Sequence, residues 1–132
     1  MNQEFHAAIE QIYDKDFRYK EDAYLFVMEA LSFSQRKFKR IKHVTGSELL
    51  EGIRELLLQK FGPMTLLVLK HWGIRSTQDF GNIVFNLVKN RVLSKTEEDN
   101  IEVFKDAYDF QEAFEEFYRK QLAKKISRMR SM

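Results

Sequence analysis

The chain has 132 residues, a net charge of +2 and a hydrophobic fraction of 44%, with 12 Phe, 5 Tyr and 1 Trp. That length suits one domain with a real core, and that composition is globular rather than disordered. The lack of cysteine excludes disulfides, thiolate metal sites and cysteine nucleophiles and suits a reducing cytoplasm, and so small a net charge excludes a global field drawing the protein to nucleic acid or membrane.

Breakers are few, 5 Gly and 1 Pro, which favours long helices. Residues 2–14 read as a first helix, with Asn2 as cap and Phe5, Ala8, Ile9, Ile12 and Tyr13 at helical spacing. The N-terminus shows no basic and apolar leader, so no signal peptide is expected. After a polar break, a second helix is predicted from about Lys20 to Lys42, with Tyr24, Val27, Met28, Leu31, Phe38 and Ile41 on one side. Glu21 and Asp22 in its first turn and Arg36, Lys37, Lys39, Arg40 and Lys42 in its last turns match the helix dipole.

Thr45-Gly-Ser-Glu48 is a capping box that opens a helix over 46–61, which Gly62 ends. Pro63 fits the first position of a central helix, 63–72. Leu66, Leu67, Val68 and Leu69 are consecutive, so this helix is expected to be covered on every side. Past Gly73, Ser76 or Thr77 caps a helix to 93 that buries Phe80, Ile83, Val84, Leu87, Val88 and Val92. Gly81 leaves room for a close neighbour, and Gln78, Asn82, Phe85, Asn86 and Lys89 are assigned to the outer face.

Residues 94–109 are the hardest to read: Ser94-Lys-Thr-Glu97 suits a single turn, and the alternation of Ile101-Glu-Val-Phe104 suits an extended segment. Asp109-Phe-Gln-Glu112 then caps a last helix to about Arg128, with Phe110, Phe114, Phe117, Tyr118, Leu122 and Ile126 along one stripe. Six large rings between Phe104 and Tyr118 are core cover, a partner surface, or both.

Charge is segregated along the chain. Residues 36–42 carry five bases and no acid, 97–116 nine acids and one base, and 119–130 six bases and no acid. Adjacent blocks of opposite sign can neutralise each other within the fold or across a dimer. No apolar run approaches the roughly 20 residues that span a bilayer. His6, His43 and His71 have no metal-ligand spacing, and no catalytic, phosphate-cradling or dinucleotide motif is present. Glu48, Glu51, Arg54 and Glu55 read as surface charge, and His71 as a packed or capping histidine.

One resemblance rests on Tyr24-Leu-Phe-Val-Met-Glu-Ala-Leu31, His43-Val-Thr-Gly-Ser-Glu-Leu-Leu-Glu-Gly-Ile-Arg54, Phe61-Gly-Pro-Met64, His71-Trp-Gly-Ile74, Asp79-Phe-Gly-Asn-Ile-Val-Phe-Asn-Leu-Val88, Lys95-Thr-Glu-Glu-Asp99 and Tyr108-Asp-Phe-Gln-Glu-Ala-Phe114. Over about residues 17–116 the chain resembles a family of short conserved bacterial proteins of unknown function, found mainly in planctomycetes and verrucomicrobia. The resemblance implies no activity. The helix order also looks like a winged helix, at the level of fold alone.

The sequence therefore predicts one all-α domain, 1–132, of six or seven helices. It comprises N-terminal helices (1–45), a winged-helix-like core (46–108) with at most a short β hairpin near 94–108, and a C-terminal helix with a basic tail (109–132). The expected function is non-catalytic: a cytoplasmic protein-interaction or regulatory module, with a protein partner or a homodimer, and with no cofactor, metal or membrane. Its candidate partner surface is Gln78, Asn82, Phe85, Asn86 and Lys89. The alternative is nucleic-acid binding through Arg36, Lys37, Lys39, Arg40 and Lys42 and the C-terminal bases. Against it, a wing holding Glu97, Glu98, Asp99, Glu102 and Asp106 would repel phosphates.

Overall fold

The computed structural model describes residues 3–94 and 101–130, and every regular element among these is helical, with no strand. Helix α1 spans Gln3–Lys15, α2 Glu21–Lys37 and α3 Gly46–Phe61. A 3-10 turn, Gly62–Met64, leads into α4, Thr65–Trp72, and α5 spans Thr77–Lys89. A second 3-10 turn, Ile101–Phe104, and a π-helical stretch, Gln111–Glu116, precede α6, Phe117–Arg130. Asn2 and residues 95–100 of the expected wing (94–108) lie outside the described residues.

Helices α2 and α3 form the base of the fold. They approach so closely that a Cβ on Gly52 would lie 1.8 Å from Ser34 Oγ and 3.4 Å from Ser34 Cα. The Ser34 hydroxyl is buried there without a hydrogen-bond partner. α3 begins as predicted: Glu48 N–H donates to Thr45 Oγ1 (3.0 Å) and Thr45 N–H to Glu48 Oε1 (2.9 Å). Phe26, Phe61 and Trp72 then stack where α2, α3 and α4 meet, with centroids 5.4 to 6.3 Å apart.

Both long helices end earlier than their periodicity suggests. α2 stops at Lys37, not Lys42, because Phe38 caps it and Lys39 turns into a left-handed conformation at φ 56°. Gln35 Nε2 donates to Lys42 O (2.6 Å) and holds this turn, leaving Ile41 in solvent rather than on the buried side. α5 stops at Lys89, not 93. Asn90 caps it, Arg91 sits at φ 60°, and the N–H groups of Val92 and Leu93 both return to Leu87 O (2.8 and 3.2 Å).

The central helix is not covered on every side. Thr65, Leu69 and Trp72 face the core, while Leu67 is 59% exposed and Met64 52%. Consecutive residues step about 100° around a helix, so one neighbour on one side cannot cover a continuous apolar run. Pro63 lies in the 3-10 turn, and α4 proper starts at Thr65, whose hydroxyl donates to Gly62 O (2.8 Å) and Leu57 O (3.2 Å). His71 is exposed, not packed.

Ile101–Phe104 is a 3-10 turn rather than an extended segment. Phe104 is the reason. Its ring and Cβ fill a notch over Gly81 and Gly46: a Cβ on Gly81 would lie 2.8 Å from Phe104 Cβ, and one on Gly46 3.4 Å from the ring. Thr77 secures the backbone beyond it, donating to Phe104 O (2.6 Å) and accepting from Ala107 N–H (3.0 Å). Downstream, Tyr108, Phe110 and Phe114 stack with centroids 5.6 to 6.2 Å apart, and Phe110 meets Phe80 at 6.0 Å. Tyr108 OH donates to Leu50 O (2.9 Å).

Two stability measurements check this packing. Gly81→Val should lower the unfolding free energy by about 2 kcal/mol in urea titration, since overfilling a packed site costs about 1–3 kcal/mol. Ser34→Ala, which removes a buried hydroxyl lacking a partner, should raise it by about 1 kcal/mol.

Candidate functional site

Three places in the fold gather polar or apolar groups of the kinds that bind ligands: the inner edge of α5, the basic turn after α2, and α6. On α5, Asp79, Asn82 and Asn86 stand at i, i+3 and i+7, one face of the helix. That face meets the junction between α1 and α2. Tyr19 OH donates to Asp79, and Asn82 Nδ2 donates to Tyr19 OH (3.0 Å). Asn86 Nδ2 donates to Asp16 Oδ2 (3.0 Å) and to Tyr24 OH (3.1 Å). Asp79 also accepts from the N–H of Arg75 (2.7 Å) and Ser76 (3.2 Å), closing the N-terminus of α5.

The expected outer face of α5 is therefore divided. Gln78, Phe85 and Lys89 are exposed, Asn82 is half-buried, and Asn86 is only 9% exposed. Asn82 and Asn86 are engaged inward, which corrects their assignment to a solvent face. Sequence periodicity missed this because a row of amides reads as solvated unless the opposing tyrosines are known to face it. The i, i+3, i+7 spacing of Asp79, Asn82 and Asn86 puts them on one face of α5 without saying what that face meets.

The electrostatics of this seam follow from its partners. Arg18 grips Asp16 through Nε (2.9 Å) and Nη2 (2.7 Å), and this pairing holds the Asp16 carboxyl well below its ordinary 3.8, despite partial burial. Burial pushes the Tyr19 hydroxyl up, and the neighbouring Asp79 carboxylate adds to the shift. Burial likewise raises Tyr24. A polar cleft of about 370 Å³, lined by Asp16, Arg18, Asn82, Asn86 and Lys89, opens beside the seam. Phe85 separates it from an apolar groove of about 710 Å³, lined by Leu31, Val84, Val88 and Phe104, to which Lys42 also contributes.

The basic turn is partly neutralised by α3. Arg40 Nη2 meets Glu48 Oε2 at 2.8 Å, which lowers the Glu48 pKa, and Lys37 pairs with Glu55. Arg36, Lys39 and Lys42 are exposed. Beside Glu55, Arg54 pairs with Glu51 (2.6 Å) and stands 6.0 Å from the Phe117 ring. Lys37 and Arg40 of the basic turn thus both meet acids of α3.

Helix α6 buries none of its side chains. Phe117, Tyr118, Leu122, Ile126 and Met129 are between 37% and 66% exposed. Four of them, at 118, 122, 126 and 129, fall on one narrow stripe. Phe110 and Phe114, which the same periodicity placed with them, lie in the core instead. The ring-rich segment is therefore divided: Phe104, Tyr108, Phe110 and Phe114 cover the core, and Phe117 and Tyr118 are exposed.

Among the described residues, no group of three His, Asp or Glu side chains stands ready for a metal, and no helix is long and apolar enough to cross a membrane. Comparison with known protein families, with curated proteins and with solved structures finds no match to this chain.

The Asp16–Arg18 pair has a defined pH signature. A carboxyl depressed in the native state contributes stability in full above the ordinary carboxylate range and loses it as pH falls through the lowered pKa. Asp16→Asn should therefore destabilise the protein at neutral pH, and its deficit against wild type should shrink steadily below about pH 4. Urea midpoints of both proteins across that range check the sign.

Proposed function

We propose that this chain is a non-catalytic protein-interaction or regulatory module whose binding element is the exposed face of α6. One observation carries the reading: five large apolar side chains share a helix that buries none of them. Contiguous exposed apolar surface of this kind marks interaction sites in soluble proteins, and anchors at i, i+4 and i+7, here Leu122, Ile126 and Met129, suit a helix seated against a complementary surface. The polar residues of α5 support a non-catalytic role, because Asp16, Tyr19, Asp79, Asn82 and Asn86 satisfy one another. A cytoplasmic setting, and kinship with the short bacterial proteins the chain resembles, belong to the same proposal.

The runner-up is nucleic-acid binding through 36–42 and the C-terminal bases, favoured by six bases and no acid in 119–130. The order of α3, α4 and α5 supports a winged-helix-like core. In that arrangement α5 would read bases, and the inward engagement of Asn82 and Asn86 counts against such a role.

A photo-crosslinking residue at position 122 tests the proposal in living cells. It should form a protein adduct, whereas the same residue at exposed position 70 on α4 should not. Adding Ile126→Glu should abolish the adduct and, at an exposed site, change stability by no more than about 0.5 kcal/mol. An adduct abolished by nuclease would favour the runner-up, and no adduct at all would count against both.

A further inference from the structure

The helical segment that ends in α6 changes sign sharply along its length. Asp109, Glu112, Glu115 and Glu116 stand in its first part, with no base, and Arg119, Lys120, Lys124, Lys125, Arg128 and Arg130 in its second, with no acid. All are exposed except Glu115, which is half-buried and reaches Arg119 at 2.9 Å within the same helix. The boundary falls at Phe117 and Tyr118, where the apolar stripe begins.

We infer that the exposed face of α6 seats a second copy of this chain, the two helices over 110–130 packing antiparallel so that the basic half of each lies along the acidic half of the other. The inference rests on the interaction reading of α6 and names its occupant. Charge complementarity selects the orientation. A two-fold contact centred near Lys120 and Gln121 sets Glu112 opposite Arg128 and Arg130, Glu116 opposite Lys124 and Lys125, and Tyr118 near Leu122. A parallel pair would set acid on acid and base on base. A polyanion, whether lipid or nucleic acid, would favour the basic half but meet repulsion from the acidic one. The apolar stripe is also narrow, as in a helix–helix seam, rather than the broad face of a helix lying in a bilayer surface.

A segment of about 20 residues is about 30 Å long, so the contact is smaller than the roughly 800 Å² each partner gives a standard interface. The dimer should dissociate on dilution and in high salt.

Sedimentation velocity of the whole chain at low salt, over a range of concentrations, tests this with two charge-reversed variants. One carries Glu112→Lys with Glu116→Lys, the other Lys125→Glu with Arg128→Glu. All four side chains are exposed, and unchanged circular dichroism would confirm that each variant folds. Wild type should approach twice the monomer mass as concentration rises. Each variant alone should remain monomeric, and an equimolar mixture should recover the dimer, because positions 112 and 116 of the first variant then face the reversed positions 128 and 125 of the second with opposite sign, while the acids at 112 and 116 of the second face the unaltered bases of the first. Leu122→Glu, which leaves the charge pattern of the flanks in place, should also give a monomer. The inference is overturned if wild type is monomeric at every concentration, if either variant associates as wild type does, or if the mixture gains nothing. A monomeric wild type whose position 122 still captures a different protein overturns the dimer and leaves the interaction reading standing. A monomer that captures nothing removes both.

Discussion

The seating of Phe104 on Gly81 and Gly46 is the constraint from which the C-terminal third takes its course. On α5, Gly81 stands where a Cβ would collide with Phe104 (2.8 Å from its Cβ), and on α3, Gly46 stands where a Cβ would collide with the adjacent Val103 (2.4 Å) and touch the Phe104 ring. The buried Thr77 at the start of α5 then binds the backbone on both sides of the turn, accepting from Ala107 and donating to Phe104. With that segment held, Tyr108, Phe110 and Phe114 reach Leu50 and Phe80, and the chain leaves the core at Phe117. The exposure of α6 is thus a consequence of packing that ends at Phe114.

Polar and apolar groups are distributed unevenly between α5 and α6. Along α5, the amides and the carboxylate that could recognise a ligand are bound to Tyr19, Tyr24 and Asp16, and their removal from water is offset by bonds to one another. They join the α1–α2 junction to α5. Along α6 the reverse holds: apolar side chains stay in water with no burial to repay them. This contrast, a polar seam satisfied within the fold beside an uncovered apolar face on α6, is what the proposed association rests on.

The readability of this sequence was uneven, for identifiable reasons. Local chemistry with one solution was clear. The Thr45–Glu48 box, the stop at Gly62 and the space at Gly81 all follow from backbone sterics and hydrogen-bond inventory. The ends of α2 and α5 were not, because they are set by Lys39 and Arg91 adopting a left-handed conformation that neither residue type advertises. The run Leu66 to Leu69 promised complete burial, yet hydrophobicity alone does not say how many neighbours arrive. Alternation at Ile101–Phe104 imitated a strand although a single side chain, Phe104, decides the local path. The inward turn of Asn82 and Asn86 needed knowledge of which residues lie 60 to 70 positions away in the chain, information that periodicity does not carry.

The dependence on Phe104 is most directly tested by residue-resolved hydrogen exchange at the amide of Ala107. Its N–H is given to the buried Thr77 hydroxyl, although the residue itself is exposed. Protection comparable to that of the α5 core amides at Ile83 and Leu87 is predicted. Exchange as fast as in an unstructured peptide would mean that the notch does not hold the segment, and the path into α6 would lose its foundation.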